Sequence, residues 1–133
     1  MISSKRNIDF IIEQFIIKCK SKNVFDQNDA IKELGMALNI EKIEGKVSNK
    51  NQEIDYLNSE RGEFIKNKLI NVLVEISDFD NMVEGSESAT VHKKNQKKSI
   101  GILRELFAKD SNYVEYNDLS DKEFMKRISK INK

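Results

Sequence analysis

The chain contains no proline, one cysteine, one histidine and only five glycines in 133 residues. The missing proline removes the commonest interruption of a helix, because proline lacks the backbone N–H and clashes with the preceding turn. A single cysteine, Cys19, rules out an intramolecular disulfide and any zinc site built on several thiolates. Cys19 lies within an apolar stretch, so it reads as a buried structural thiol. A single histidine, His92, leaves no histidine pair for a metal and little material for general acid–base work. Charge of one sign is also lacking in excess, with 23 basic against 22 acidic side chains and a formal net charge of +1. Whole-molecule attraction to nucleic acid or to an anionic membrane is therefore not implied. No apolar run approaches the roughly 18–20 residues that span a bilayer. The basic pair Lys5 and Arg6 is followed by apolar residues broken by Asp9 and Glu13, with no small-residue cleavage site, so a signal peptide is not expected. The expected compartment is the cytoplasm.

What is present is helical periodicity. Ile8, Ile11, Ile12, Phe15 and Ile16 recur at three- and four-residue spacing over 4–21. Phe10 and Ile17 widen that stripe, which predicts cover on more than one side. Asp26 is a candidate N-cap for a second helix reaching Leu38, with Ala30, Ile31, Leu34, Ala37 and Leu38 as its buried face. Residues 40–47, with Gly45, read as a connector, and Ser48 as a possible cap for a segment carrying Ile54 and Leu57. Gly62 marks a break. Phe64, Ile65, Leu69, Val72, Leu73 and Ile76 form the strongest stripe in the chain and predict the central core helix.

Residues 78–90 read as a loop. A helix over 90–109 carries Ile100, Ile102, Leu103, Leu106 and Phe107, with a first half so polar that only the second half is clearly anchored. Tyr113, Val114 and Tyr116 sit in a link expected to be non-helical and to run extended across the bundle. Ser120 and Glu123 form an S-x-x-E capping box opening a last helix with Phe124, Met125, Ile128 and Ile131 on one face. The expectation is an all-α fold, a compact bundle or orthogonal array of five to six helices in a single domain over 1–133.

The chemistry of sites is sparse. The carboxylate pairs Glu60/Glu63 and Glu84/Glu87 lack the Glu-x-x-His partners of helical di-metal centres. No phosphate-binding glycine loop surrounds Gly35, Gly45 or Gly62. His92 falls in a lysine-rich stretch and is expected to be exposed, without the arginine four to six residues earlier that some helical ribonucleases use. No catalytic residue, cofactor or metal is predicted, and no small-molecule substrate is evident. A helix-turn-helix over 31–47 begins well with Leu34, Gly35 and Leu38. It fails where Gly45 takes the position of a buried residue and Glu41 and Glu44 would meet phosphates. In size and composition the chain resembles small helical proteins of phages and mobile elements, an analogy of class that fixes no function.

One local feature stands out. Lys93, Lys94, Lys97 and Lys98 fall at i, i+1, i+4 and i+5, which a helix gathers on one side, with Arg104 and Lys109 following. In the first half of a helix such charges oppose the macrodipole, a cost that an anionic partner would relieve. Residues 48–85 carry four basic and eight acidic side chains, and residues 86–133 eleven and seven. The acidic half could therefore cover the lysines within one molecule or across a homodimer. Alternatively the face is solvated, or it neutralises phosphates. No aromatic residue interleaves with the lysines, which argues against a single-strand stacking platform. Tyr113 and Tyr116 either plug the core or serve as anchors for a protein partner. The leading expectation is a non-catalytic module that binds another protein, a second copy of itself included. The alternative is a nucleic-acid binder using the basic 93–109 stripe.

Overall fold

Four amphipathic helices need one another to cover their apolar stripes, and that requirement fixes where the candidate surface can lie. The computed structural model describes residues 4–38, 52–77, 85–108 and 111–131. They form α1 (Ser4–Cys19), α2 (Val24–Ala37), α3 (Gln52–Leu57), α4 (Glu63–Ile76), α5 (Ser86–Ala108), a 3₁₀ segment (Ser111–Asp118) and α6 (Asp121–Ile131). Among the described residues there is no strand. The connector over 40–47, the Ser48 cap, the second half of the 31–47 window, residues 78–84 and Lys109 lie outside the described residues.

Helix α1 buries Ile8, Ile12, Phe15 and Cys19, at 4-3-4 spacing. Phe10 and Ile17 are exposed, contrary to the expected second cover, because that side of α1 has no helix packed on it among the described residues. Lys22 turns the chain in the left-handed region (φ 59°), and the Ser21 hydroxyl donates to the Lys18 carbonyl at 3.0 Å. Asn23, not Asp26, then caps α2: its Oδ1 accepts from the backbone N–H groups of Phe25 at 2.9 Å and Asp26 at 3.1 Å. Asp26 instead lies in the first turn, where a carboxylate complements the helix dipole. Ala30, Ile31, Leu34 and Leu38 are buried as the periodicity predicts, and Ala37 packs partly against them.

Helix α2 packs between α1 and α5, while α4 packs on α5 and α1. Ile65, Leu69, Leu73 and Ile76 supply the inner face of α4, joined by Ile70. Phe64 departs from the predicted stripe. It is 72% exposed, on the outer side, with the Lys68 ammonium 4.5 Å from its ring centre.

Helix α5 begins earlier than its hydrophobic pattern suggests. Gly85 (φ 90°) leads into it, and residues 86–90, expected in a loop, are helical. Ile100, Ile102, Leu103, Leu106 and Phe107 are buried as predicted. The polar first half is anchored too, by His92, Asn95, Gln96 and Ser99, all buried. His92 is thus not the exposed residue its lysine neighbours imply; it is 8% exposed and neither ring nitrogen meets a protein partner. The link over 111–118 is 3₁₀-helical, not extended, with Tyr113 departing at φ −127°. Ser120 caps α6 as predicted, its hydroxyl accepting from the Glu123 N–H at 3.2 Å. Phe124, Met125 and Ile128 line its buried face.

Burial, followed by the nearby Glu75 carboxylate, pushes the Cys19 thiol from 9.0 up to about 12. Thiolate is the nucleophile, so native Cys19 is expected to be inert to a disulfide reagent at pH 8 and to react once the chain is unfolded in denaturant. The unfolded thiol ionises first. The stability that Cys19 contributes is therefore intact below about pH 9 and lost as the pH rises towards 12. Thiol titration with and without denaturant measures the first effect, and denaturation midpoints across that window the second. A native thiol reacting as fast as the unfolded one would contradict this burial.

A charge-banded candidate surface on helices α2 and α5

Helix α5 is held against α2 by polar contacts. The fully buried Asn95 amide donates to the Val24 carbonyl at 2.9 Å and its Oδ1 accepts from the Asn28 amide at 2.9 Å. That grip sets the rotation of α5, and the lysines fall where the buried residues are not. Lys93, Lys94 and Lys97 are exposed and Lys98 is half-buried. The four do lie on the outer side of α5, as their spacing predicts.

Their setting differs from the sequence expectation in two ways. Because α5 starts at Ser86 with Glu87 in its first turn, the lysines sit in mid-helix, where the dipole is weak. The dipole cost therefore no longer argues for a partner. Second, among the described residues no acidic side chain of the 48–85 half pairs with them. Among the described residues, Lys93, Lys94, Lys97 and Lys98 make no ion pair and no hydrogen bond. What α2 brings to them is another cation: burial first, then Lys32, then Lys94, pulls the Lys98 ammonium below its usual value.

Arg104 is not part of this group. Its guanidinium donates to Asp121 at 2.9 Å and to the Leu119 carbonyl at 2.6 Å, and lies 4.7 Å from the Phe124 ring centre. It ties α5 to α6. Tyr113 and Tyr116 are likewise engaged within the fold. Tyr113 meets Phe107 edge-on with ring centres 5.0 Å apart, and Tyr116 meets Tyr113 at 5.3 Å and Phe124 at 6.4 Å. Both pack against the core, as partly buried rings and not as exposed anchors, while Val114 between them is exposed.

The sequence reading passed over the outer face of α2. Phe25, Asp29, Lys32 and Met36, at 4-3-4 spacing, are all exposed, opposite the buried Ala30, Ile31, Leu34 and Leu38. Met36 is 79% exposed and Phe25 44%. Lys32 borders the α5 lysines. On the other flank Asp26, Asp29 and Glu33 line a groove of about 380 Å³ with Ile17, Lys18 and Ser21 of the α1 side. Lys18 and Glu33 bridge that groove at 2.8 Å. The signal was available in the sequence, since Phe25 and Met36 are the large apolar residues left over once the buried face of α2 is assigned.

Chemistry beyond binding has few handles. Among the described residues no three of His, Cys, Asp and Glu stand together as a metal-ligating group. None of the described helices is long and apolar enough to cross a membrane. No family model, curated protein or solved structure matches the chain.

Proposed function

We propose that this chain is a non-catalytic helical module that works by binding another protein, as an adaptor, regulator or small subunit of a larger assembly. The observation that carries the reading is the banding of the α2–α5 surface. Exposed Phe25 and Met36, in line with Asp29 and Lys32, run between a basic flank, Lys94 and Lys98, and an acidic flank, Asp26 and Glu33. Exposed apolar side chains bordered by both signs of charge suit a protein face, where the apolar residues supply affinity and the flanks supply orientation. A phosphate backbone gains from the basic flank alone and is repelled by the acidic one.

A second reading, nucleic-acid binding by Lys93, Lys94, Lys97 and Lys98, is favoured by the absence of any carboxylate paired with them among the described residues. One pair of variants separates the two. Phe25→Ser with Met36→Ser should abolish capture of a partner protein from host lysate and leave the fold intact by circular dichroism. Lys94→Glu with Lys97→Glu should instead abolish a salt-sensitive mobility shift on DNA or RNA if the second reading holds. A chain that captures the same proteins with and without Phe25 and Met36 would remove the first reading. No shift at low salt with the unaltered chain would remove the second.

A further inference from the structure

The outer seam of α2 is self-complementary, and we infer that its partner is a second copy of this chain, docked α2 against α2 in antiparallel orientation. Phe25, Asp29, Lys32 and Met36 follow one another at four, three and four residues, the spacing with which one helix seats its side chains between those of another. All four are exposed, and Asp29 and Lys32 make no ion pair or hydrogen bond among the described residues. A two-fold axis between positions 29 and 32, perpendicular to the helix, sets Phe25 against the partner's Met36 and Asp29 against the partner's Lys32. Symmetry then repeats both contacts. A parallel pair would set Asp29 on Asp29 and Lys32 on Lys32 at the same level, so the charges within the seam select the antiparallel arrangement.

The flanks behave differently. The same axis places like flanks side by side, so Lys94 and Lys98 of both copies lie along one edge and Asp26 and Glu33 along the other. Glu33 is neutralised by Lys18 at 2.8 Å. The lysine edges repel at moderate range, which weakens the pair without changing its register, and leaves one continuous basic edge across the dimer.

This inference rests on the protein-binding reading of the α2 face, and a charge-swap series tests it. Sedimentation velocity or light scattering over a concentration series should show a dimer for the unaltered chain. Asp29→Lys alone, or Lys32→Asp alone, sets like charges against each other twice per dimer and should weaken association by roughly tenfold or more. The double variant, Asp29→Lys with Lys32→Asp, restores opposite charges across the axis and should recover association to near the original. Met36→Glu serves as a second disruption, with circular dichroism confirming that each variant is folded. An unaltered chain that stays monomeric at millimolar concentration would overturn the inference. So would a dimer indifferent to the single swaps, or a double swap that fails to recover. A monomer that still loses a captured protein on Phe25→Ser with Met36→Ser would overturn only the second-copy inference and leave the binding reading standing.

Discussion

Gly62→Ala is expected to lower the free energy of unfolding by roughly 1–3 kcal/mol, the range for forcing a methyl group into filled space. Gly62 precedes α4 where the chain doubles back on the end of α3. A Cβ there would collide with the Tyr56 carbonyl and come within 2.8 Å of the Leu57 Cα, both backbone atoms that cannot swing aside. Its own conformation (φ −92°, ψ −6°) is open to any residue, so the requirement is for space and not for dihedral freedom. The matched control is Gly35→Ala in the last turn of α2, where an added Cβ meets nothing within 4 Å. Alanine is the better helix former, and this change should stabilise by roughly 0.5–1 kcal/mol. Denaturant unfolding of the two variants decides the matter. Equal effects of the same sign would mean that the α3–α4 turn is not packed as described.

Two substitutions three residues apart on α5 should move stability in opposite directions. Asn95→Ala removes the buried side-chain hydrogen bonds from Asn95 to the Val24 carbonyl and to Asn28 that hold α5 to α2. The expected loss is about 1–3 kcal/mol, from two lost hydrogen bonds at roughly 0.5–1.5 kcal/mol each. His92→Leu keeps a side chain of similar bulk and removes two buried ring nitrogens that have no protein partner. A gain of about 1 kcal/mol is expected, because unpaired buried polar atoms oppose folding. Thermal or chemical denaturation reads both. Destabilisation by His92→Leu as large as that by Asn95→Ala would show that the imidazole is held by a partner the protein contacts do not supply.

These two residues show where sequence reasoning stopped. The aliphatic stripes of α1, α2, α4 and the second half of α5 were legible, because apolar residues at helical spacing have one stable place to go. The Ser120 cap was legible for the same kind of local reason, since its hydroxyl meets an N–H three residues on. The first half of α5 was not. Its polar residues suit solvent or interior equally well, and only the approach of α2, with Asn28 and the Val24 carbonyl waiting, makes burial of Asn95 favourable. His92 went inside with it. The cap of α2 was misplaced by three residues because Asn23 and Asp26 are both competent capping side chains, and the left-handed Lys22 decides between them.

The candidate surface divides along the same line. The four lysines were visible as a cluster from their spacing, and the structure keeps them on one exposed side. Arg104 was read with them because sequence proximity cannot show that Asp121, 17 positions away, folds back onto it. Tyr113 and Tyr116 pack partly buried against the core, one of the two readings that the sequence left open, and what decides it is the approach of the Phe107 and Phe124 rings.

The sequence by itself determined that the described residues are helical, which faces of most helices turn inward, and that the cysteine is buried. Those are matters of periodicity and local chemistry, carried by neighbours within two turns. Only the tertiary structure decided that the lysines meet Lys32 and, among the described residues, no acidic partner, and that Phe25 and Met36 stand outside between bands of opposite charge. The rotation of α2 against α1 and α5 sets both, and that rotation comes from contacts between residues up to 71 positions apart, such as Asn95 with Val24.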